Sequence, residues 1–348
     1  MQHGISVYAG LGYTIEENLQ LIEFASSLGM KYLFTSAQIP EAQDSENFFE
    51  ELTAIMATAV QRDFEIILDV NADDTTFFNL EDLILRLDDG FDTPRIAELS
   101  HERKIQLNAS TVTEDFLTEI KSHDANFSNV TALHNFYPRP HTGLDSYYFI
   151  HQNEILHKFG IAAGAFIPTL DGKRRPPLGE GLPTLEDCRN FSADLSARYL
   201  AALGTDFIII GDGLPTPDEL TAVSKVNGDE VVLTAQIVTD DEISIELLSK
   251  TFTRRPDVAK SVIRAVEGRR FLKSLGAQIK ADVSSKNRSF GDVTIDNETF
   301  GRYAGEVQII DDELPADSRT NIVAHIIDEE FFLTRYIKPS QKFSFRLI

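Results

Sequence analysis

Eight short apolar stretches recur along the first two-thirds of the chain, and nearly every one ends in a polar residue. They span residues 4–8, 32–36, 64–71, 84–89, 105–110, 130–137, 161–168 and 207–212. Helical periodicity fills most of the intervals. After the first stretch Thr14-Ile15-Glu16-Glu17 has the form of a capping box, Leu21, Ile22, Ala25 and Leu28 share one helical face, and Gly29 ends the run. Residues 48–60, 113–123 and 185–203 predict further helices, Thr113 being an N-cap, and residues 93–99 a shorter one. The run Phe64-Glu65-Ile66-Ile67-Leu68-Asp69-Val70-Asn71 is nearly continuous in apolar residues, as expected where both faces of a parallel sheet are covered. This rhythm predicts an α/β chain that begins with a (β/α)8 TIM barrel. A doubly wound open sheet competes with it, but the G-x-G-x-x-G turn such a sheet carries after its first strand is missing; Gly10-Leu11-Gly12 is only a fragment.

The period changes near Pro215. Residues 217–223 predict a bridging helix, and alternating stretches at 231–237, 243–247, 307–310, 321–324 and 343–345 predict half-buried antiparallel strands. The Arg254-Arg255-Pro256 and Arg269-Arg270 pairs are read as linking segments. The expected division is a barrel over residues 1–218 and a smaller, mostly β domain over residues 219–348.

A barrel places its chemistry at the C-terminal ends of its strands. Here those ends hold Tyr8, Asp69, Asn71, Asp88, Asn108, Asn135, Tyr137 and Asp212. Ile67, Asp69 and Asn71 share one face of their strand on a two-residue period, so an inward Ile67 brings Asp69 into the upper barrel. Arg86 and Asp88 likewise share a face; a charged pair there is costly against the helix layer and fits a polar active-site floor. The stretch from His134 to Gly143 is dense in polar and aromatic groups, with Arg139 and His141 as ligand-contact candidates. Lys173, Arg174 and Arg175 make the loop after strand seven basic in an acidic protein, which suits an anionic ligand, and Glu180 sits between two glycines. Asp69, Asp88, Glu180 and Asp212 are therefore candidate acid–base groups. His134 and His141 lack companions at metal-ligand spacing, so neither metal nor cofactor is expected. No Gly-x-Ser-x-Gly elbow occurs, and Cys188 has no evident histidine partner, which leaves carboxylate-based hydrolysis, sugar chemistry included, as the favoured reaction class.

Composition narrows the setting. The 348 residues fit one barrel plus a small domain, and 42% hydrophobic with 25% charged residues is the balance of a folded globular protein. A net charge of −23 argues against a nucleic-acid partner, which needs a basic footprint. No stretch has the length and apolarity of a membrane span, the first residues lack the pattern of a signal peptide, and one cysteine suits a reducing compartment; the expected location is the cytoplasm.

Several motifs taken together resemble a bacterial two-domain family, once of unknown function and labelled outer surface protein, that includes 6-phospho-N-acetylmuramidases. They are Gly4-Ile5-Ser6-Val7-Tyr8, Asp69-Val70-Asn71, Leu85-Arg86-Leu87-Asp88-Asp89-Gly90-Phe91 and Asn135-Phe136-Tyr137-Pro138-Arg139-Pro140. Glu180-Gly181-Leu182-Pro183-Thr184-Leu185-Glu186, Gly291-Asp292-Val293-Thr294-Ile295-Asp296-Asn297 and Gly301-Arg302-Tyr303-Ala304-Gly305-Glu306 complete the set. The resemblance implies a TIM barrel followed by a cyclophilin-like β domain, cyclophilin-like in shape only. It also implies a cytoplasmic glycosidase that splits N-acetylmuramic acid 6-phosphate from N-acetylglucosamine in cell-wall recycling. A phosphosugar with a lactyl carboxylate offers two anions, for which Arg86, Arg139, Lys173, Arg174, Arg175 and Arg302 are the candidate partners. A phosphosugar isomerase and a non-catalytic anionic-sugar-binding protein stand as alternatives. The second domain either completes the site or mediates homodimer formation.

Overall fold

The computed structural model describes residues 1–70, 83–87, 90–282 and 286–348. The chain divides into two compact units, Met1–Gly228 and Asp229–Ile348. In the first, eight parallel strands close into a barrel: β1 Gln2–Ser6, β2 Tyr32–Ser36, β3 Glu65–Val70, β4 Leu83–Leu87, β5 Ile105–Asn108, β6 Val130–Leu133, β7 Ala162–Ile167 and β8 Phe207–Ile210, with β8 pairing back onto β1. Around it lie α1 Ile15–Ser27, α2 Pro40–Gln43, α3 Phe48–Gln61, α4 Thr93–Glu102, α5 Glu114–Ser122, α6 Ser146–Lys158, α7 Ala193–Ala202 and α8 Pro217–Ser224.

Local chemistry sets the helix ends. Thr14 and Glu17 form the expected capping box of α1 and Gly29 follows its end at φ +76°, a left-handed conformation that suits glycine. Thr113 caps α5 through the Phe116 amide at 3.2 Å. The single helix expected over residues 185–203 is instead a 3-10 turn, Glu186–Asn190, followed by α7. Ser192 interrupts it, because its hydroxyl accepts the Leu195 amide as an N-cap.

Neighbours in register share one side of a parallel sheet, and the barrel interior reads in layers. Tyr32 and Phe207 meet at 4.9 Å near the bottom, beside Gly4 and Gly164, whose missing side chains leave room for Tyr32 and the Phe207 ring respectively. Phe34, Ile67, Ile84, Phe166 and Ile209 fill the middle. Ser36, Asp69 and Arg86 lie in register above them and form the upper layer. Inside a close-packed apolar barrel, this polar layer at the C-terminal ends of the strands is the candidate for the active end.

The second unit comprises β9 Glu230–Ile237, α9 Glu242–Leu248, β10 Phe252–Thr253, β11 Val262–Arg264, α10 Gly268–Leu275, β12 Asp292–Asp296, β13 Val307–Ile310, β14 Thr320–Ile326 and β15 Lys342–Leu347. Its strands form one curled sheet in the order β10-β15-β9-β14-β12-β13-β11. Val231, Leu233, Ala235, Val293, Ile295, Val307, Ile309, Ala324, Ile326 and Phe343 give it a buried apolar face. A barrel followed by a smaller β-sheet domain is the arrangement expected. Three local expectations are corrected. Residues 243–247 are helical, because Asp241 accepts the Ser244 amide at 2.9 Å and starts α9; the Ile-Ser-Ile-Glu-Leu string fits either period. The pair β9–β15 is parallel rather than antiparallel. Arg269 and Arg270 belong to α10 and not to a linker.

Candidate active site

The polar arc of the barrel mouth is built on β2 to β6. Asp69 accepts a hydrogen bond from Ser36 Oγ at 2.9 Å and another from Gln38 Nε2 at 3.1 Å, while the Gln38 amide donates to Ser36 Oγ at 3.2 Å. Arg86, only 3% exposed, is the register neighbour of Asp69 on β4 and of Gln106 on β5. Its Nη1 donates to the Leu133 carbonyl at 2.8 Å and its Nη2 to Asn135 Oδ1, so it ties β4 to the end of β6 and orients Asn135. Ser110 extends the network: its hydroxyl accepts the Asn135 amide at 2.9 Å and its own amide donates to Asn108 Oδ1 at 3.0 Å. Buried His134 lies between Ser110 Oγ and Asn153 Oδ1, and burial lowers its pKa to about 4, which keeps it neutral at physiological pH.

Aromatic rings pack beside and beneath this arc. Tyr8, Phe34, Phe136 and Phe166 pack edge to face in a chain with centroid spacings of 5.0–6.4 Å. The Arg175 guanidinium stacks over Tyr8 at 5.1 Å and over Phe136 at 4.8 Å. Its buried Nε has no hydrogen-bond partner among the described residues, an N–H that calls for an acceptor. Tyr8 donates to the Gly211 carbonyl at 2.8 Å, and burial pushes its pKa up to about 12 against the pull of the Arg175 charge.

The loop after β7 is held from below. Asp212, fully buried, accepts the amides of Arg175 at 2.9 Å, Thr169 at 3.1 Å and Leu182 at 3.2 Å. Burial nonetheless raises its carboxyl above the ordinary aspartate value. Arg174 turns back onto the carbonyls of Thr169 and Arg189, both at 3.0 Å. A second fastening joins this loop to the one after β6. Arg189 is bidentate on Glu186 at 2.7 and 2.8 Å and donates to the carbonyls of Tyr137, Glu180, Arg139 and Gly181 at 2.9–3.3 Å. Glu186 also accepts the amides of His141 and Gly143; hydrogen bonding from Arg189 leads the effects that hold its pKa down at about 2.

Family models for the N-terminal and C-terminal parts of the 6-phospho-N-acetylmuramidases match residues 3–225 and 231–346. The chain belongs to the 6-phospho-N-acetylmuramidase family. It is thereby a glycosidase. Two solved structures align over both units: an uncharacterized B. cereus protein, 32% identical over 99% of each chain with a TM-score of 0.88, and a conserved Enterococcus faecalis protein with an unknown function. The latter is 31% identical over 100% of this chain and 96% of its own, with a TM-score of 0.70. No curated protein matches.

For a phosphomuramidase the mouth has an apt division: a carboxylate with two donors on one side, a stacked cation on the other. Tyr8, Asp69, Arg86, Asn108, Asn135 and Arg175, all expected from the sequence, lie around it. Tyr137 is fixed at its edge by a hydrogen bond from its backbone amide to the Pro183 carbonyl at 2.9 Å. Arg139, His141 and Glu180 sit on exposed loop surface, and the Arg174 side chain braces its own loop rather than offering itself to a ligand. Asn71 and Asp88 lie outside the described residues. Arg302 belongs to the second unit, where its guanidinium covers the Tyr303 ring at 4.9 Å. Ser36, Gln38, Phe136 and the Glu186–Arg189 pair are site residues not expected from the sequence. Ser36 carries a signal, since it ends a predicted strand; Arg189 carries none, because its role depends on carbonyls far away in the chain. Among the described residues no group of three or more His, Cys, Asp or Glu side chains is arranged to hold a metal ion, and no helix is long and apolar enough to cross a membrane.

Proposed function

We propose that the barrel mouth binds the phosphorylated ring of N-acetylmuramic acid 6-phosphate–N-acetylglucosamine, with Asp69 as the principal catalytic carboxylate. The observation that carries this reading is the pairing of Asp69 with Ser36 Oγ and Gln38 Nε2, in register with buried Arg86. Hydrogen bonds donated to a carboxylate favour its charged form. An ionised Asp69 stabilises or attacks the anomeric carbon as positive charge develops there, while a second, protonated carboxyl protonates the departing glycosidic oxygen. We assign that second role to Asp88 on chain position alone, two residues after Arg86. Arg175 meets the phosphate or the lactyl carboxylate with its guanidinium, and the Tyr8 and Phe136 rings hold its plane. Asp212 acts as the scaffold of the β7 loop, its oxygens taken up by three amides.

The stacked Arg175 guanidinium supports a small anionic ligand, and a net charge of −23 argues against a nucleic-acid partner. A phosphorylated sugar substrate and one buried, unpaired cysteine favour the cytoplasm. The test is Asp69→Asn. A variant with the wild-type melting temperature is expected to lose turnover by about 10²–10⁴-fold. Wild-type turnover in that folded variant removes Asp69 from the chemistry.

A further inference from the structure

A cleft of about 310 Å³ opens beside the barrel mouth, between the loop after β2, the loop after β6 and the loop after β7. Ile39, Pro138 and Leu178 give it apolar walls, Glu41 and Glu180 line it as exposed carboxylates, and Arg175 lines it as well. Arg175 is the guanidinium stacked on Tyr8 and Phe136, so the cleft abuts the mouth at this side chain. The sign of charge changes along this path, from a half-buried cation to two exposed anions. The wall bearing Glu180 is not loose surface, since Arg189 holds its carbonyl at 3.1 Å. A volume of about 310 Å³ is at the low end for small-molecule sites and accommodates one sugar ring rather than a chain.

We propose that this cleft is the subsite for the leaving sugar and that it selects a neutral pyranose. The inference rests on the reading of the mouth as the site of the phosphorylated ring. Such a disaccharide is electrostatically lopsided, with two anions on one ring and none on the other. Arg175 draws the anionic ring to the mouth. Glu41 and Glu180 repel it from the cleft, and as acceptor-only groups they suit the hydroxyl donors of an uncharged ring whose apolar face lies on Ile39, Pro138 and Leu178. Charge thus sets the direction in which the disaccharide lies, and both carboxylates act on binding rather than on bond cleavage.

The experiment compares wild type with Glu41→Ala/Glu180→Ala on two substrates that share the phosphorylated muramyl ring. One carries N-acetylglucosamine as leaving group and the other a 4-methylumbelliferyl group. The ratio of kcat/KM for the disaccharide to that for the aryl glycoside is expected to fall about tenfold in the variant. A ratio within about twofold of wild type overturns the proposal, and so does an equal loss on both substrates, which would place the carboxylates on the muramyl side. Ligand-observed NMR with free N-acetylglucosamine supplies a readout apart from catalysis: binding to wild type that disappears in the variant supports the subsite, and equal binding to both refutes it. Carboxylate-dependent binding in a protein that cleaves neither substrate would fault the reading of the mouth and leave the cleft assigned.

Discussion

Replacing Arg189 with alanine removes one guanidinium on which two loops at the barrel mouth depend. The side chain is 6% exposed and its partner Glu186 is 28% exposed. Truncation deletes two charge-assisted bonds to Glu186 and four to the carbonyls of Tyr137, Arg139, Glu180 and Gly181. Breaking a buried ion pair costs ~3–5 kcal/mol, and the partial exposure of Glu186 places this one at the lower end, ~3 kcal/mol. In a unit of the size of Met1–Gly228, a loss of ~1 kcal/mol lowers the melting temperature by ~2–4 °C, so Arg189→Ala is expected to lower it by ~6–12 °C. Differential scanning calorimetry reads this directly. The gap also depends on pH. Glu186 titrates near 2 in the folded chain against an ordinary 4.5, so the pairing contributes fully above 4.5 and is lost as the pH falls from 4.5 towards 2. Wild type and variant should therefore converge in acid. Arg189→Lys keeps the charge without the planar fork and should fall between them. A melting temperature for Arg189→Ala within about 1 °C of wild type at pH 7 would show that Arg189 does not fasten these loops.

Other substitutions probe the mouth and the second unit separately. Arg175→Lys loses the stacked plane and the fixed donor geometry and should raise KM for the phosphorylated disaccharide by at least ~10-fold with a smaller change in kcat; steady-state kinetics with an unaltered KM would exclude Arg175 from substrate binding. Tyr8→Phe deletes the bond to the Gly211 carbonyl in an isosteric ring and should cost ~1 kcal/mol, seen as a fall of ~2–4 °C in melting temperature. Burial, with Glu306 close by, raises the pKa of Asp296 to about 6, so the folded chain keeps a proton that the unfolded chain releases near 3.8. Its contribution to stability is therefore present below 3.8 and is lost as the pH rises through 6; Asp296→Asn should gain on wild type across that window in urea unfolding, and parallel pH profiles would contradict the assignment.

The barrel was legible because each strand is a short apolar run and each helix announces its cap: Thr14, Thr113 and the glycine at 29 carry local signals that survive without tertiary context. The order and direction of strands in the second unit were not. Whether Lys342–Leu347 runs parallel to Glu230–Ile237 is set by distant pairing, and a five-residue alternating string such as residues 243–247 satisfies a helix as readily as a strand. Within the site, the two-residue period puts Asp69 on the face of Ile67, and the register sets Asp69 beside Arg86. What that period lacks is the difference between a side chain that faces a ligand and one that faces its own loop. Asp212, Arg174 and Arg189 are all polar residues near strand ends, yet each is occupied by backbone groups brought from elsewhere by the fold.

On the proposed function, the mouth reads a phosphorylated muramyl ring and cleaves its glycosidic bond. Incubation of the purified protein with N-acetylmuramic acid 6-phosphate–N-acetylglucosamine and, in parallel, with the unphosphorylated disaccharide, followed by mass analysis of the products, tests it most directly. N-acetylmuramic acid 6-phosphate and N-acetylglucosamine are expected to be released from the first while the second stays intact. Equal cleavage of both, or of neither, would contradict it.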